Sequence, residues 1–269
     1  NAPMGLAIKA YHGTPHSFDK FDMSKIGTGE GAQAYGHGLY FAEDPEIAQY
    51  YLDKLTEDEI ESILNASHYI VSDEPVVQGL LQYKNKSTRQ SPWLDEADLG
   101  QIIGVKEAKK IFDNAKKGEY LEDETLNAVP NGKIYNVSLE WPDAAREAVD
   151  PLSPEHFLDW DKPLSEQNKV VQEAASKRLG ELRQMGATPP SDPSGEWLHK
   201  AFHPQAGEVG FGQSLAADRL REAGIPGIRY LDQGSRGAGE GTSNYVVFDD
   251  LIPKIVEKNK YAEGGAVST

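Results

Sequence analysis

The chain contains no cysteine, which excludes disulfide bonds, thiolate nucleophiles and cysteine-ligated zinc or iron sites. It also lacks an apolar run long enough to cross a bilayer, so we expect no association with a membrane. Basic residues are scarce, at 27 Lys and Arg against 43 Asp and Glu, and the net charge is −16. This charge disfavours duplex nucleic acid bound through a broad basic face, but it allows a small anionic ligand held by backbone amides.

Three motifs of enzyme sites are broken or missing. His199 and His203 have the helical spacing of two metal ligands, but the glutamate of a zinc-protease motif is absent, so we predict a surface histidine pair and no metal. The glycines of residues 29–34 match the dinucleotide fingerprint loosely, yet residues 35–38 are glycine-rich where a helix should begin. There is no nucleophile elbow and no phosphate-binding loop.

The residues that are present suffice for a folded core with a large solvated periphery, since 38% are hydrophobic and the mean hydropathy is −0.57. Alternation and turn residues predict strands over 5–11, 38–41, 133–141, 227–231, 244–248 and 252–256. Helical spacing and caps predict helices from 45, over 165–185 and over 214–224, with loops over 142–167, 186–195 and 234–241.

This distribution places short strands at both ends of the chain and helices in the middle, which predicts an α+β fold. The two end segments are expected to assemble one site. We expect a single domain over residues 1–258 with a helical insertion at about 56–130 and a flexible tail over 259–269.

Candidate binding residues occur near both predicted strand ends in the first part of the chain. In Tyr11-His12-Gly13-Thr14, a histidine and a hydroxyl residue flank a glycine that permits close approach of a ligand, although a strand ending in a turn explains the same residues. Tyr40 precedes a predicted helix that carries Tyr51, and two such rings can bracket a flat heteroaromatic group or simply pack in the core.

Taken together, three segments resemble the His-Tyr-Glu branch of the ADP-ribosyltransferases, the group typified by diphtheria toxin and the poly(ADP-ribose) polymerases. The segments are His12-Gly13-Thr14, residues 38–42 with Tyr51, and Asn244-Tyr245-Val246-Val247-Phe248-Asp249. With residues 223–232, the pattern looks more narrowly like the ADP-ribosyltransferase domain within large polyvalent proteins of bacteriophages and mobile elements. The abrupt start, Asn-Ala-Pro-Met-Gly, would suit a piece of such a polypeptide.

The resemblance implies a split β-sandwich that uses NAD as a co-substrate and needs no metal. His12 would hydrogen-bond a ribose hydroxyl of NAD, Gly13 would hold the nicotinamide amide through its backbone, and Thr14 would add a hydroxyl to the same segment. Tyr40 and Tyr51 would cover the two faces of the nicotinamide ring.

Two residues depart from the family pattern. Ala48 stands where the polymerases have a serine that bonds the amide oxygen, so one hydrogen bond worth about 1 kcal/mol is lost. Asn244 stands where the family has a glutamate, whose charge stabilises the oxocarbenium character that develops as nicotinamide leaves. If that charge contributes about 3 kcal/mol, its absence slows the step roughly a hundredfold.

The glycine-rich loop over 234–241 carries two charged candidates. Glu240 is the carboxylate nearest to Asn244 in sequence that could replace the missing charge, with a solvated loop charge as the alternative. Arg236 could meet the NAD phosphates or an acidic acceptor, and here too a solvated charge is the alternative. The glycines predict mobility of this loop on binding.

We therefore expect an NAD-dependent mono-ADP-ribosyltransferase of the glycosyltransferase class. It would transfer ADP-ribose to a host macromolecule, expected to be a protein, and release nicotinamide, acting as a monomeric, toxin-like effector in the host cytoplasm. Three alternatives stay open: a non-catalytic module that binds NAD or ADP-ribose, a structural module of a phage-derived polyvalent protein, and an NAD glycohydrolase.

Overall fold

The computed structural model describes residues 7–14, 16–26, 34–55, 81–82, 93–94, 96, 106, 108–110, 112–113, 133–142, 151–204 and 212–260. Most of the predicted insertion at 56–130 and residues 261–269 of the predicted tail therefore lie outside the described residues. The prediction of a tail is wrong for residues 259–260, which belong to the last strand of the sheet. The described part combines one large mixed sheet with several helices, which fits the predicted α+β class.

The elements are short and follow one another in chain order. The strands are β1 Ile8–Thr14, β2 Leu39–Ala42, β3 Leu81–Gln82, β4 Trp93–Leu94, β5 Lys133–Leu139, β6 Leu158–Asp159, β7 Gly227–Leu231, β8 Ser243–Val247 and β9 Pro253–Lys260. The helices are α1 over 45–55, α2 Lys169–Gln184, α3 Gly195–Phe202, α4 Gly212–Glu222 and α5 Gln233–Arg236. Turns of 3-10 helix cover Met23–Lys25, Pro154–His156 and Leu164–Glu166.

Seven strands form one sheet in the order β6-β7-β8-β2-β1-β5-β9, and every neighbouring pair is antiparallel except β6 and β7. This order places β8, from the end of the chain, directly beside β2, from its beginning. The expectation that the two ends of the chain meet is therefore confirmed for the sheet. β3 and β4 pair separately, so the insertion that was predicted as helical also contains a short antiparallel strand pair.

Apolar side chains cover both faces of the sheet. On one side, called the helical face below, Ile228 and Val246 of the sheet pack with Val171, Leu198 and Leu220 from helices α2, α3 and α4. The opposite side, called the aromatic face below, buries Phe21, Phe41, Tyr135, Phe157 and Tyr245. Because successive residues of a strand point to opposite faces, every sheet residue can be assigned to one face from its neighbours.

The prediction of a solvated loop over 142–167 is wrong for its apolar centre. Phe157, Leu158 and Trp160 are buried, and Leu158 pairs with Ile228 in the parallel contact between β6 and β7. The Trp160 backbone N–H donates to the Arg229 carbonyl at 2.8 Å. The acidic residues around this run are numerous enough to mask its short apolar pattern in the sequence.

Other boundaries differ from prediction by a few residues. β1 continues to Thr14, since it pairs with β5 along all seven of its residues, and β9 continues to Lys260 by pairing with the same strand. α4 begins at Gly212, so Ser214 lies inside the helix and does not cap it. The predicted loop over 234–241 starts with the short helix α5, whose N-cap is Asp232.

We predict that Gly227→Ala destabilises the fold, because a Cβ at Gly227 would overlap the Val246 carbonyl oxygen in the neighbouring strand. Overpacking of this kind costs about 1–3 kcal/mol, which chemical denaturation monitored by circular dichroism would measure. The matched control is Gly180→Ala in α2, where a Cβ meets no atom within 4 Å. That change should stabilise the protein by roughly 0.5–1 kcal/mol, and equal effects of the two changes would contradict the close approach at Gly227.

Candidate active site

The sheet opens between β1 and β2. These strands pair at a single position, Tyr11 with Ala42, whereas β1 pairs with β5 at seven positions and β2 with β8 at four. The two strands therefore separate beyond this pair, and the opening lies between the segment His12-Gly13-Thr14 and the first residues of β2. Two of the three candidate segments found in the sequence, residues 12–14 and 38–42, flank this opening, and the strand part of the third lies in β8, on the other side of β2.

The imidazole of His12 bridges the separated strands. Its Nδ1 lies 2.9 Å from the carbonyl oxygen of Tyr40, and because a carbonyl only accepts, Nδ1 must carry the proton. In the neutral ring, Nε2 is then the acceptor. The contact joins residues 28 positions apart in the sequence. It fixes both the orientation of the ring and its tautomer.

Aromatic rings surround His12 on the aromatic face. The ring centroid of Phe21 lies 5.3 Å from that of His12, and the centroid of Phe41 lies 5.8 Å away. Burial lowers the pKa of His12 below its usual range, although the bond to the Tyr40 carbonyl raises it. His12 is consequently neutral at physiological pH, with Nε2 suited to accept a hydrogen bond from a hydroxyl group.

Tyr40 reaches the same opening from the helical face. Its hydroxyl donates to the Gly36 carbonyl at 2.9 Å and accepts from the Tyr35 backbone N–H at 3.3 Å. Burial raises the pKa of Tyr40 well above its usual range, so the phenol stays neutral. With its backbone carbonyl bound to His12 and its hydroxyl bound to the loop before β2, Tyr40 is held at both ends.

Helix α1 lies directly on β1 at Gly13. Asp44 caps the helix by accepting from the Glu46 N–H at 2.8 Å, as the sequence predicted. Ala48 is buried, and a Cβ at position 13 would overlap its carbonyl oxygen, so only glycine fits there. Tyr51, one turn beyond Ala48, lies close enough to Tyr40 for their phenols to interact electrostatically.

Asn244 lies near this group of residues and comes from the other end of the chain. It pairs with Ala42 across β2 and β8, on the same face of the sheet as Tyr40. The residue is only 3% exposed, and its Oδ1 has no hydrogen-bond partner among the residues that the structure describes. Buried polar atoms are nearly always satisfied, so this oxygen is a candidate acceptor for a ligand.

The loop after β7 is tied at its base. Asp232 accepts hydrogen bonds from the backbone N–H of Ser235 at 2.8 Å and from the hydroxyl of Thr242. Although burial opposes it, these hydrogen bonds lower the pKa of Asp232. The mobility predicted from the glycines stays a prediction for the stretch between the two tied ends, where Gly239 and Gly241 have positive φ.

Arg236 and Glu240 occupy different positions in this loop. The guanidinium of Arg236 donates to the Tyr35 hydroxyl at 2.7 Å and pairs with Asp161 at 3.3 Å, so it is not a free solvated charge. Glu240 is exposed, and among the described contacts none joins it to His12, Tyr40 or Asn244. Arg236 thus lies against the helical-face aromatics, whereas the role considered for Glu240 stays a prediction.

Three residues near the site were not singled out in the sequence. Glu43 accepts from the N–H of Ser243 at 2.9 Å, immediately before Asn244. Tyr230 pairs with Asn244 across β7 and β8, and Tyr35 stacks on Tyr230 with ring centroids 3.8 Å apart. No local pattern marks these residues, because their positions follow from strand register.

The prediction of a surface histidine pair is wrong for His199, which is 2% exposed. Its ring packs near Trp160, and its Nε2 has no hydrogen-bond partner among the described residues. A Cβ at Gly36 would lie 3.1 Å from this nitrogen, so His199 sits directly behind the loop that holds Tyr40. The described residues contain no group of three or more His, Asp or Glu side chains placed to hold a metal ion.

No protein-family model, curated protein sequence or solved structure matches this chain. The resemblance to ADP-ribosyltransferases therefore rests on the motifs quoted from the sequence. Within the described ranges, no helix is both long and apolar enough to cross a membrane.

We predict that acid destabilises the fold through His199. Burial lowers the pKa of His199 from 6.5 to about 4, so the unfolded chain binds this proton at a higher pH than the folded chain does. Stability should fall as the pH drops from 6.5 towards 4, by roughly 3 kcal/mol if the shift acts fully.

Urea unfolding measures this effect as the free energy of unfolding of the wild type and of His199→Gln at several pH values. The difference between the two proteins at neutral pH is the baseline. The variant should lose less stability over the acidic range than the wild type. Parallel losses in both proteins would show that His199 does not carry the pH dependence.

Proposed function

We propose that the chain is an NAD-dependent mono-ADP-ribosyltransferase with a split β-sandwich of the ADP-ribosyltransferase type. The observation that carries the proposal is the opening between β1 and β2, bridged by His12 and Tyr40, with Asn244 one strand away opposite Ala42. These residues come from both ends of the chain, and packing of the sheet alone does not require a histidine, a tyrosine and a buried amide at one opening.

NAD would bind with its nicotinamide end in this opening. The neutral His12 would accept a ribose hydroxyl at Nε2, since Nδ1 already donates to the Tyr40 carbonyl. Tyr40 and Tyr51 would cover the nicotinamide ring, and the main chain of Gly13 would bind its amide. Gly13 is buried beneath α1, where no side chain fits. Its backbone would therefore have to meet the amide along the plane of the sheet, through the opening.

The reaction would break the bond between the ribose C1′ and the nicotinamide nitrogen. Nicotinamide leaves with the bonding electron pair, and positive charge develops on the ribose. A nucleophilic atom of the acceptor then bonds to C1′ and loses its proton to solvent. The residues here bind and orient the sugar, so that the reacting atoms stay aligned while the charge develops.

We assign transfer of a single ADP-ribose unit, because Asn244 replaces the glutamate that polymerising members of the resembled family use for elongation. The acceptor is proposed to be a host protein reached in the host cytoplasm. The loop containing Arg236 and Glu240 would contact it. A direct role of Arg236 with the NAD phosphates would require its pair with Asp161 to open.

A non-catalytic NAD-binding module is the second candidate. It is favoured by the neutral Asn244, which is 3% exposed and which no described contact supplies with a compensating charge. Such a module would retain the nicotinamide contacts of His12 and Tyr40 while leaving the glycosidic bond intact.

The two candidates are separated by incubating the purified chain with NAD labelled in the adenylate part, in the presence of a host-cell lysate. Transferase activity predicts nicotinamide release together with label on a lysate protein. Nicotinamide release without transfer would identify a glycohydrolase, and binding by calorimetry without release would identify the binding module. Absence of both NAD binding and nicotinamide release would refute the proposed function and leave the structural module.

Neighbouring tyrosines of α1 provide a matched pair for the same assay. We predict that Tyr51→Ala weakens NAD binding by about tenfold, the effect of losing one ring–ring contact in a partly buried site. Tyr50→Ala removes a ring that is 57% exposed and should leave the affinity within experimental error. Similar losses in the two variants would place the nicotinamide elsewhere.

We also predict that Asn244→Glu increases the rate of nicotinamide release by about tenfold to a hundredfold, since a carboxylate stabilises the developing charge on the ribose. Asn244→Gln lengthens the side chain equally without adding charge, and it should give no such increase. The comparison uses single-turnover rates at saturating NAD, at a pH high enough to ionise a buried carboxyl group. An equal or lower rate for the glutamate variant would remove Asn244 from the reacting centre.

A further inference from the structure

The two sides of the Asn244 carboxamide differ in their surroundings. Asn244 and Tyr230 are direct partners across β7 and β8, and both side chains lie on the helical face. Burial raises the pKa of Tyr230, and the neighbouring Asn244 side chain lowers it, as a donor close to the phenol does. Oδ1 of Asn244 has no hydrogen-bond partner in the described part of the chain. The amide nitrogen is therefore the atom directed at the phenol, and the oxygen is left for another group.

Tyr230 itself is held rigidly. Its ring stacks on Tyr35 with an interplanar angle of 8°, and Trp160 meets Tyr35 edge-on at 5.1 Å. Arg236 lies over the other ring in this stack, with its guanidinium carbon 5.2 Å from the Tyr35 centroid. Because the stack fixes the phenol, the hydroxyl of Tyr230 stays in one place relative to Asn244.

An amide must be orientated to act as an acceptor, unlike a carboxylate. The two oxygens of a carboxylate are equivalent, so rotation by half a turn changes nothing, but the same rotation of Asn244 would present an N–H donor in place of Oδ1. Replacement of glutamate by asparagine therefore creates a need for a group that selects one orientation. Tyr230 is placed to do this.

We propose that Tyr230 is a positioning residue that sets the orientation of the Asn244 amide, so that Oδ1 accepts a hydroxyl group of the bound sugar. The inference rests on the proposed function for the identity of that sugar, the ribose of NAD. The ligand group that Asn244 would recognise is a hydroxyl donor. The loop that carries Arg236 is linked to Asn244 through Tyr35, which stacks on Tyr230.

The test measures nicotinamide release in Tyr230→Phe, which keeps the ring and its stack on Tyr35 but removes the hydroxyl. We expect kcat to fall by about fivefold, as for one lost neutral hydrogen bond, with a smaller change in KM because the nicotinamide contacts are retained. Tyr245→Phe is the matched control, since it removes a buried hydroxyl from the next residue of β8 on the aromatic face. It should leave kcat unchanged.

A second readout separates orientation from general loss of packing. Asn244→Asp introduces a carboxylate, and its pH–rate profile should gain an acidic limb at the pKa of that group. Adding Tyr230→Phe should move this limb to higher pH, because removing a hydrogen bond to the charged form raises a carboxylate pKa. The aspartate has equivalent oxygens, so the fivefold loss of kcat should also shrink in this background. An unchanged limb or an undiminished loss would overturn the proposal.

A third measurement does not depend on activity or on the folding of Tyr230→Phe. In spectra of the ¹⁵N-labelled wild type, the side-chain NH₂ signals of Asn244 are those missing from Asn244→Asp. Slow exchange of one of these protons with solvent is expected for a buried, donated hydrogen bond, and rapid exchange of both would overturn the proposal. If the wild type neither binds NAD nor releases nicotinamide, the proposed function fails, while this measurement still decides the contact between Tyr230 and Asn244.

Discussion

The hydrogen bond from the His12 imidazole to the Tyr40 carbonyl is the contact on which the arrangement of the site depends. β1 and β2 part after one residue pair, and a parted sheet leaves backbone groups that must find other partners. His12 supplies a donor to one of them across the opening. The same bond makes Nε2 an acceptor. One hydrogen bond therefore satisfies a backbone carbonyl and also orients the imidazole for the proposed ligand contact.

Residues reach the opening from both faces of the sheet, so the proposed site can be built from few side chains. His12 comes from the aromatic face, packed against Phe21 and Phe41, whereas Tyr40 and Asn244 come from the helical face. Each polar group lies among apolar neighbours, where hydrogen bonds are stronger than in water. The low dielectric also keeps the imidazole neutral, which is the state the proposed contact needs.

The sequence predicts those features that depend on neighbours along the chain. The cap at Asp44 and the spacing of Ala48 and Leu52 locate α1, and alternation locates β5. Features that depend on register are not accessible in this way. Nothing local indicates that Asn244 pairs with Tyr230, and the buried run from Phe157 to Trp160 is masked by surrounding acidic residues. His199 likewise looks like a surface residue until α3 is packed behind Gly36.

The environment of Asn244 gives a physical reason for an amide at a position where the resembled family has a carboxylate. A carboxylate buried to this extent loses most of its hydration, which raises its pKa unless a cation or several donors compensate. The polar side chain directly opposite Asn244 in the neighbouring strand β7 is that of Tyr230. Its phenol is neutral, because burial raises its pKa. An amide is cheaper to bury and needs only one hydrogen bond to fix its direction. At this site a correctly directed acceptor oxygen is therefore compatible with the core, and the proposed recognition of a sugar hydroxyl would not need a buried charge.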